Sequence, residues 1–268
     1  MKNLLTVLVV ACTLFVPATL ANAQERVGVE VVYAGGKLSD MFSYPLDRTL
    51  RSGKQLDTNG IAVNAEVRLT DIVSVGYRFE HLGLRHSQFV IESVLTNGEV
   101  QRMAEPNPNA ATSTVAYQEW FGSFKLPKTH SHALIVGLAK SSFEQEWSWR
   151  EQGGIGKSKY GSSETGLVVG GQGRQTAGPL TFDYTGRLYP RLANTTGYKG
   201  MPSQFESVGL EIRGSATWSI AKHVGLTGGY QFRRMSTDLM TTGANGQPWP
   251  LHENKDSKLV LVGLRLSF

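Results

Sequence analysis

The chain has 268 residues, a net charge of +5 and a slightly negative mean hydropathy, with 40% hydrophobic and 18% charged residues. Its basic residues are scattered rather than clustered, so this mild charge does not predict nucleic-acid binding. Cys12 is the only cysteine and lies in the amino-terminal apolar run, which excludes disulfides and thiolate zinc sites from the rest of the chain.

The amino terminus has the pattern of a secretory signal peptide. Lys2 precedes a nearly continuous apolar run over residues 4–20, and a small-x-small cleavage site ends at Ala23. A single membrane anchor is the alternative, but the run is at the short limit of about 17 residues for a span and contains Pro17. The predicted organisation is a signal peptide, residues 1–23, and one exported domain, residues 24–268.

The exported part has no apolar run as long as a membrane helix, but apolar and polar residues alternate in ten segments. Alternate residues of a strand point to opposite faces, so each segment predicts a strand with one apolar face. Eight or twelve strands are the alternatives to ten. The predicted strands are 27–34, 60–69, 73–82, 114–126, 133–149, 164–174, 180–189, 206–220, 224–234 and 258–268.

The outward face of the fifth segment is ambiguous. Lys140, Glu144 and Glu146 share one face, and a basic side chain that faces lipid costs about 2 to 4 kcal/mol. We therefore predict that this face lines the interior. The prediction places Phe143, Trp147 and Trp149 against lipid and Leu134, Val136 and Leu138 inside.

The connections between predicted strands alternate in length. Short ones cover 70–72, 127–132, 175–179 and 221–223, and long ones cover 35–59, 83–113, 150–163, 190–205 and 235–257. Short periplasmic turns and long external loops are typical of outer-membrane barrels.

The last segment carries the most specific pattern. One face is uniformly apolar and ends in the carboxyl-terminal aromatic, as Val260, Val262, Leu264, Leu266 and Phe268. Such a strand resembles the closing strand of a bacterial outer-membrane β-barrel. The resemblance implies an all-β fold, a single transmembrane antiparallel up-and-down barrel in the outer membrane. It also implies contact with outer-membrane lipid and lipopolysaccharide, and recognition of Phe268 by the barrel-assembly machinery.

Aromatic residues near the predicted strand ends suit the interfacial girdles of such a barrel. They are Tyr33, Trp120, Trp147, Trp149, Tyr189, Trp218 and Phe268.

Charges on the predicted strands fall almost entirely on the inward face, with acids and bases interleaved. A confined interior favours closely spaced opposite charges, since an unpaired charge there is costly. About eight strands are just filled by their side chains, so ten leave little free space. The predicted salt-bridge network of the lumen is Glu66, Arg68, Arg78, Glu80, Asp183, Arg187, Glu211, Arg213, Arg233 and Arg265.

Two families of outer-membrane enzymes, the omptin proteases and the lipid A deacylases, have motifs that can be compared with this sequence. Omptin proteases have ten strands and an Asp–His couple at the outer rim, but this sequence lacks an Asp-x-His stretch. Asp238 and His252 could approach one another in the last long loop, although nothing in their spacing requires it. Residues 77–81 look like the start of the lipid A deacylase pattern, but the serine is missing after His81. We predict no enzymatic activity, and no cofactor or metal site.

The sequence thus favours a small outer-membrane barrel with a mostly occluded lumen and a structural or surface-interaction role. Recognition would lie in the external loops, of which 83–113 and 235–257 are rich in aromatic and turn residues. A narrow channel for small solutes is the alternative. An outer-membrane enzyme of protease or lipid A-modifying type is a third reading.

Overall fold

The structure is a computed structural model that describes residues 27–44, 47–94, 100–105, 112–127, 129, 131–151, 154–196, 206–242 and 248–268. The predicted signal peptide lies outside the described residues. The strands are β1 Val27–Tyr44, β2 Asp47–Arg68, β3 Val73–Val94, β4 Val100–Glu105, β5 Thr112–Lys125, β6 His132–Glu151, β7 Gly154–Ala177, β8 Leu180–Thr196, β9 Glu206–Ala221, β10 Val224–Thr242 and β11 Pro248–Ser267.

Ten of these strands form a closed antiparallel barrel. Each pairs with its neighbours in the order β1, β2, β3, β5, β6, β7, β8, β9, β10, β11, and β1 closes the ring on β11, with Val31 opposite Leu264. The short β4 pairs only with the last part of β3, where Phe89 lies opposite Glu105. The predicted ten-stranded up-and-down barrel is confirmed, and β4 is an addition within the predicted loop 83–113.

The short turns lie where the sequence predicts them, at one end of the barrel. This end is the periplasmic one by the usual asymmetry of such barrels. Gly178, in the turn between β7 and β8, has a φ of 60°, a left-handed conformation that glycine adopts without strain.

The extent of the long loops was predicted wrongly. Strand pairing continues through most of these ranges; β10 and β11, for example, pair as far as Thr242 opposite Pro248. Beyond the bilayer the outward face of a strand meets water, and buried positions on the inward face include polar residues such as Thr237 and Glu253. The alternation of apolar and polar residues therefore fades while the hydrogen-bonded ladder persists. A sequence pattern therefore marks the membrane-spanning part of each strand and misses its continuation.

A belt of apolar side chains covers the outside of the barrel next to its periplasmic end. On β11, Val262 is 61% exposed whereas its neighbour Leu261 is 1% exposed. The same alternation runs around the ring, and we call the exposed set the apolar belt. It includes Tyr33, Trp120, Phe124, Leu167, Phe182, Leu188, Ile212, Trp218, Leu226, Tyr230, Val260 and Leu264.

The belt overturns the prediction for the fifth segment, now β6. Leu134, Val136 and Leu138 face outward, with Leu134 50% exposed, while Ile135 and Ala139 are buried inside. Exposed Lys140 and Glu144 share the outward face, and Phe143 instead packs inward against Leu38 and Leu84. Charge was the wrong criterion, because β6 leaves the apolar belt at Lys140 and charges beyond that point meet water. The side chains of Glu146, Trp147 and Trp149 lie outside the described ones.

The aromatic residues predicted for the interfacial girdles do not all face outward. Tyr33, Trp120, Trp218 and Phe268 are exposed on the outside, as predicted. Tyr189 is instead fully buried in the interior, because it shares the inward face of β8 with Arg187.

Charged residues mark the outer edge of the apolar belt. Arg191 bonds to Glu206 across β8 and β9, and Arg234 donates two hydrogen bonds to Asp256 across β10 and β11, at 2.7 and 2.6 Å. We call these four residues and Lys140 the rim charges. The strands continue beyond them as a protein wall outside the membrane. The part of the chain that the structure describes contains no helix that is long and apolar enough to span a membrane.

Candidate functional site in the barrel interior

Three arginines and three glutamates meet in the middle of the barrel. They project inward from five strands, and each is almost completely buried. We call them the central cluster: Arg78 and Glu80 on β3, Glu119 on β5, Arg187 on β8, Glu211 on β9 and Arg233 on β10.

Arginine forks hold the central cluster together. Arg233 bonds both oxygens of Glu80, at 3.0 and 3.1 Å, and donates from Nε to Glu211 at 2.8 Å. Arg78 reaches Glu211 and also donates to Glu80 at 3.2 Å. Charge-assisted bonds of this kind are roughly twice as strong as neutral ones.

The remaining contacts complete the cluster across the interior. Arg187 donates to Glu119 at 2.8 Å and to Glu211 at 3.4 Å. The amide of Gln231 donates to Glu80 at 3.0 Å and accepts from Arg78 at 2.7 Å. Because three positive charges face three negative ones, the six side chains together carry no net charge.

Two buried tyrosines cover the cluster on its outer side. Their rings, Tyr117 and Tyr189, meet edge to face with centroids 5.8 Å apart. The Arg233 guanidinium lies 4.1 Å from the centroid of the Tyr117 ring, a cation–π distance. The Tyr117 hydroxyl also donates to Glu119 at 3.4 Å. Aromatic area and charge thus fill the same cross-section of the lumen.

A second layer of ion pairs lies toward the periplasmic end. Arg213 donates to Glu30 at 2.5 Å, and Arg265 donates to Asp183 at 2.6 Å. Asp183 also accepts from Arg174 at 2.6 Å, which ties β7 and β11 to β8. These pairs are less buried than the central cluster and border open space.

The central cluster separates two cavities. The periplasmic vestibule has a volume of about 210 Å³, and Glu66, Arg68 and Arg187 are among its lining residues. The outer cavity has only about 60 Å³, and Tyr117 and Arg233 are part of its wall. Arg187 and Arg233 both contact Glu211, so the partition between the cavities is the cluster itself.

The predicted network is distributed over these layers. Arg78, Glu80, Arg187, Glu211 and Arg233 meet in the central cluster, and Arg213, Arg265 and Asp183 lie in the periplasmic layer. Glu66 accepts hydrogen bonds from Ser123 at 3.0 Å and Gln172 at 3.4 Å, and Arg68 lines the vestibule.

The predicted salt-bridge network left out several members of this interior. Glu30 and Glu119 could have been included, because each lies on the inward face of its strand. Nothing in the sequence indicated that Tyr117, Tyr189 or Gln231 would contact the buried charges. A spacing of two residues along a strand corresponds to a contact for Arg78 and Glu80 but not for Glu211 and Arg213. Glu211 pairs with arginines from three other strands, and Arg213, two residues away, pairs with Glu30.

Known structures share this architecture. The outer membrane protease OmpT from Escherichia coli matches with a TM-score of 0.52 and 12% identity, over 93% of this chain and 99% of that chain. The fold is that of an outer-membrane β-barrel. OprG from Pseudomonas aeruginosa matches at 8% identity and a TM-score of 0.39, over 92% of this chain and 98% of that one. Neisserial surface protein A matches at 10% identity and a TM-score of 0.33, over 90% and 97%.

No protein-family model and no curated protein sequence matches the chain. At these identities the structural likeness establishes the fold and leaves the activity open. The predicted outer-membrane location agrees with the fold and with the apolar belt that surrounds this barrel.

The carboxyl terminus closes the barrel. The Phe268 backbone exchanges hydrogen bonds with Val27, at 2.8 and 3.0 Å, and its ring stacks on His223 with centroids 6.1 Å apart. Phe268 is exposed on the outside at the periplasmic end. Its recognition by the assembly machinery stays a prediction.

Glu164 is a buried acid beside the outer cavity. On β7 it lies three residues beyond Leu167, which pairs with the rim residue Arg191, so Glu164 is outside the membrane-spanning segment. Burial raises the pKa of the Glu164 carboxyl; Lys255 and a 3.0 Å hydrogen bond from Ser207 oppose that shift. Because the folded pKa is above the unfolded one, the stability that this group contributes is present below the unfolded pKa. It is lost as pH rises through the folded pKa.

Glu164→Gln is therefore expected to stabilise the folded barrel at pH 8 and to have little effect at pH 4. The amide retains the acceptor for Ser207 while removing the buried charge. The measurement is the urea midpoint of unfolding in detergent micelles at both pH values. Asp71→Asn, at an exposed periplasmic turn, is the matched control. An equal shift of the Glu164→Gln midpoint at both pH values would contradict the assignment.

Proposed function

We propose that this chain is an exported outer-membrane barrel with a closed interior, which acts as a structural or surface-interaction protein. The observation that supports this role is the central cluster, which fills the lumen between the two cavities with buried, mutually bonded charges. A pore at rest would need a continuous aqueous path through the same cross-section.

Opening that path would be costly. Glu211 alone is bonded to three arginines, so moving any wall of the cluster separates buried charges. Removing one member of a buried ion pair typically costs about 3 to 5 kcal/mol. The narrow-channel alternative requires the cluster to rearrange, since the outer cavity of about 60 Å³ ends on Tyr117 and Arg233.

The exterior supports a role at the surface. Lipid and lipopolysaccharide would contact the apolar belt and the rim charges, and the barrel-assembly machinery would read the terminal strand through Phe268. Beyond the rim charges, the long strands extend the barrel outside the bilayer and present a rigid wall. Residues displayed on such a wall, and the connections above it, are the surface available to partners.

Recording currents across planar bilayers tests the closed interior. The wild-type barrel is expected to insert without discrete conductance steps at moderate voltage. The double variant Glu80→Ala/Arg233→Ala removes two opposite charges, leaves the cluster neutral and deletes side chains from the partition. It is expected to give steps that the wild type lacks. Steady, reproducible steps from the wild type would contradict the proposal and favour the channel alternative.

A further inference from the structure

A serine, a histidine and an aspartate form a hydrogen-bonded chain on the outside of the barrel. Nε2 of His252 lies 3.1 Å from the Ser236 hydroxyl, and its Nδ1 lies 2.6 Å from the Asp238 carboxylate. Ser236 and Asp238 are two residues apart on β10 and share its outward face. His252 lies directly opposite Asp238 on β11, so the strand register brings all three together.

The order of these contacts is that of a hydrolytic triad. The carboxylate fixes the Nδ1–H tautomer of the ring, which leaves Nε2 free to accept the serine proton. A hydroxyl with an oriented base within hydrogen-bond reach is the signature of an activated nucleophile. Simple cross-strand pairing would not require the serine and the aspartate to contact different ring nitrogens.

The position of this chain points to a lipid substrate. Ser236 lies two residues beyond the rim residue Arg234, about 7 Å along the strand. The next outward residue, Asp238, pairs with the rim residue Glu206, so Ser236 lies at the edge of the apolar belt. That level corresponds to the headgroups of the outer leaflet, where acyl chains are joined to polar groups.

The residues that flank Ser236 on the two neighbouring strands are apolar on one side and an amide on the other. On β9, Val208 pairs opposite Ser236 and Leu210 pairs opposite Arg234, and both side chains are exposed. They form an apolar strip that leads from Ser236 toward the belt. On the other side Ser236 pairs with Asn254 of β11, a residue whose side-chain amide is of the kind that donates to a developing oxyanion. An acyl chain, an ester carbonyl and an oxyanion donor thus have places in one row across three strands.

We propose that Ser236, His252 and Asp238 are the catalytic residues of an ester hydrolase that acts on acyl esters of amphiphiles at the outer membrane surface. This proposal departs from the non-enzymatic expectation drawn from the sequence. It goes beyond the closed-barrel role and does not depend on the state of the lumen.

The proposed reaction uses only water as co-reactant. The Ser236 oxygen bonds to the ester carbonyl carbon while its proton passes to Nε2 of His252, and the carbonyl electron pair moves to the oxygen. When that pair returns, the C–O bond to the alcohol breaks and the leaving alkoxide takes the proton from Nε2. Water then attacks the acyl-serine by the same route, which releases the carboxylic acid and restores the serine.

Exposure sets the expected rate. The Asp238 side chain is 88% exposed, and water weakens the attraction between a carboxylate and an imidazolium. Turnover is therefore expected to be slow, so covalent trapping of the serine is a sharper first readout than hydrolysis.

The test uses a fluorophosphonate probe on the full-length barrel in detergent micelles, with the labelled residue mapped by mass spectrometry. The wild type is expected to label at Ser236. Labelling of Ser236→Ala and His252→Ala is expected to be at least 10-fold weaker than that of the wild type. Their hydrolysis of p-nitrophenyl octanoate is expected to fall in parallel. Ser219→Ala and His81→Ala change exposed residues elsewhere on the barrel and are expected to label like the wild type.

Folding of each variant is checked by the shift in electrophoretic mobility on heating, and Ser236→Ala removes only one hydroxyl. An unlabelled wild type, or equal labelling of folded Ser236→Ala, would overturn the proposal. Hydrolysis of peptide amides in place of acyl esters would overturn the assigned substrate class. None of these outcomes bears on bilayer conductance, so failure here and failure of the closed-barrel role are separate results.

Discussion

Replacing Glu211 by glutamine is expected to destabilise the folded barrel by about 3 to 5 kcal/mol, the usual cost of removing one partner from a buried ion pair. Glu211 accepts from Arg78, Arg187 and Arg233 and is fully buried. The substitution preserves shape and leaves the central cluster with a net positive charge. The measurement is the free energy of unfolding in urea, followed by tryptophan fluorescence in lipid vesicles.

The matched control is Glu206→Gln at the rim. Glu206 also bonds an arginine, Arg191, but both side chains are more than half exposed. Surface pairs contribute about 0 to 1 kcal/mol, so this variant is expected to unfold almost like the wild type. Equal effects of the two substitutions would show that water enters the cluster and that the lumen is not closed there.

A basic residue in the apolar belt is expected to have a comparably large effect. Val262→Arg places a guanidinium at mid-belt on β11, where the side chain is 61% exposed on the outside. Arginine facing lipid costs about 2 to 4 kcal/mol at the bilayer midplane and about 0 to 1 kcal/mol near its edge. The same urea titration in vesicles measures the loss.

Val208→Arg is the control for depth. Val208 is exposed on the same outer face but lies at the outer edge of the belt, two residues from the rim residue Glu206 on β9. Its effect is expected to be at least about 1 kcal/mol smaller than that of Val262→Arg, given the depth dependence above. If both variants cost the same in vesicles, lipid does not cover the belt.

The membrane-spanning part of the fold was readable from sequence because lipid and a packed interior impose opposite demands on alternate residues. This is why the parity of β11, with Val262 out and Leu261 in, was predictable. The same logic failed for β6, where charges beyond Lys140 lie on the outward face but outside the bilayer. It also failed for the long loops, since polar residues occupy both faces of a strand once its outward face meets water, as with buried Thr237 and exposed Asp238 on β10.

The candidate sites were less predictable than the fold, for a related reason. Parity shows that Arg78 and Glu211 point inward, but they are 133 residues apart and meet only because the ring closes. Likewise, the contact between Asp238 and His252 depends on β10 and β11 pairing far beyond the membrane. Register over those extended segments is set by the hairpin as a whole and leaves no local signature in the sequence.

A closed outer-membrane barrel requires an exterior that meets lipid and an interior that is sealed. Spin labels at single cysteines along β11, in a Cys12→Ser background, test both at once. Labels at Val260, Val262 and Leu264 are expected to be accessible to oxygen dissolved in lipid and not to a water-soluble nickel chelate. Labels at Leu259 and Leu261 are expected to be accessible to neither. Strong access of the chelate to labels at Leu259 and Leu261 would show that the lumen is a water-filled pore. Strong access to the label at Val262 would show that water, not lipid, covers the outer face. Either result would contradict a sealed barrel in the membrane.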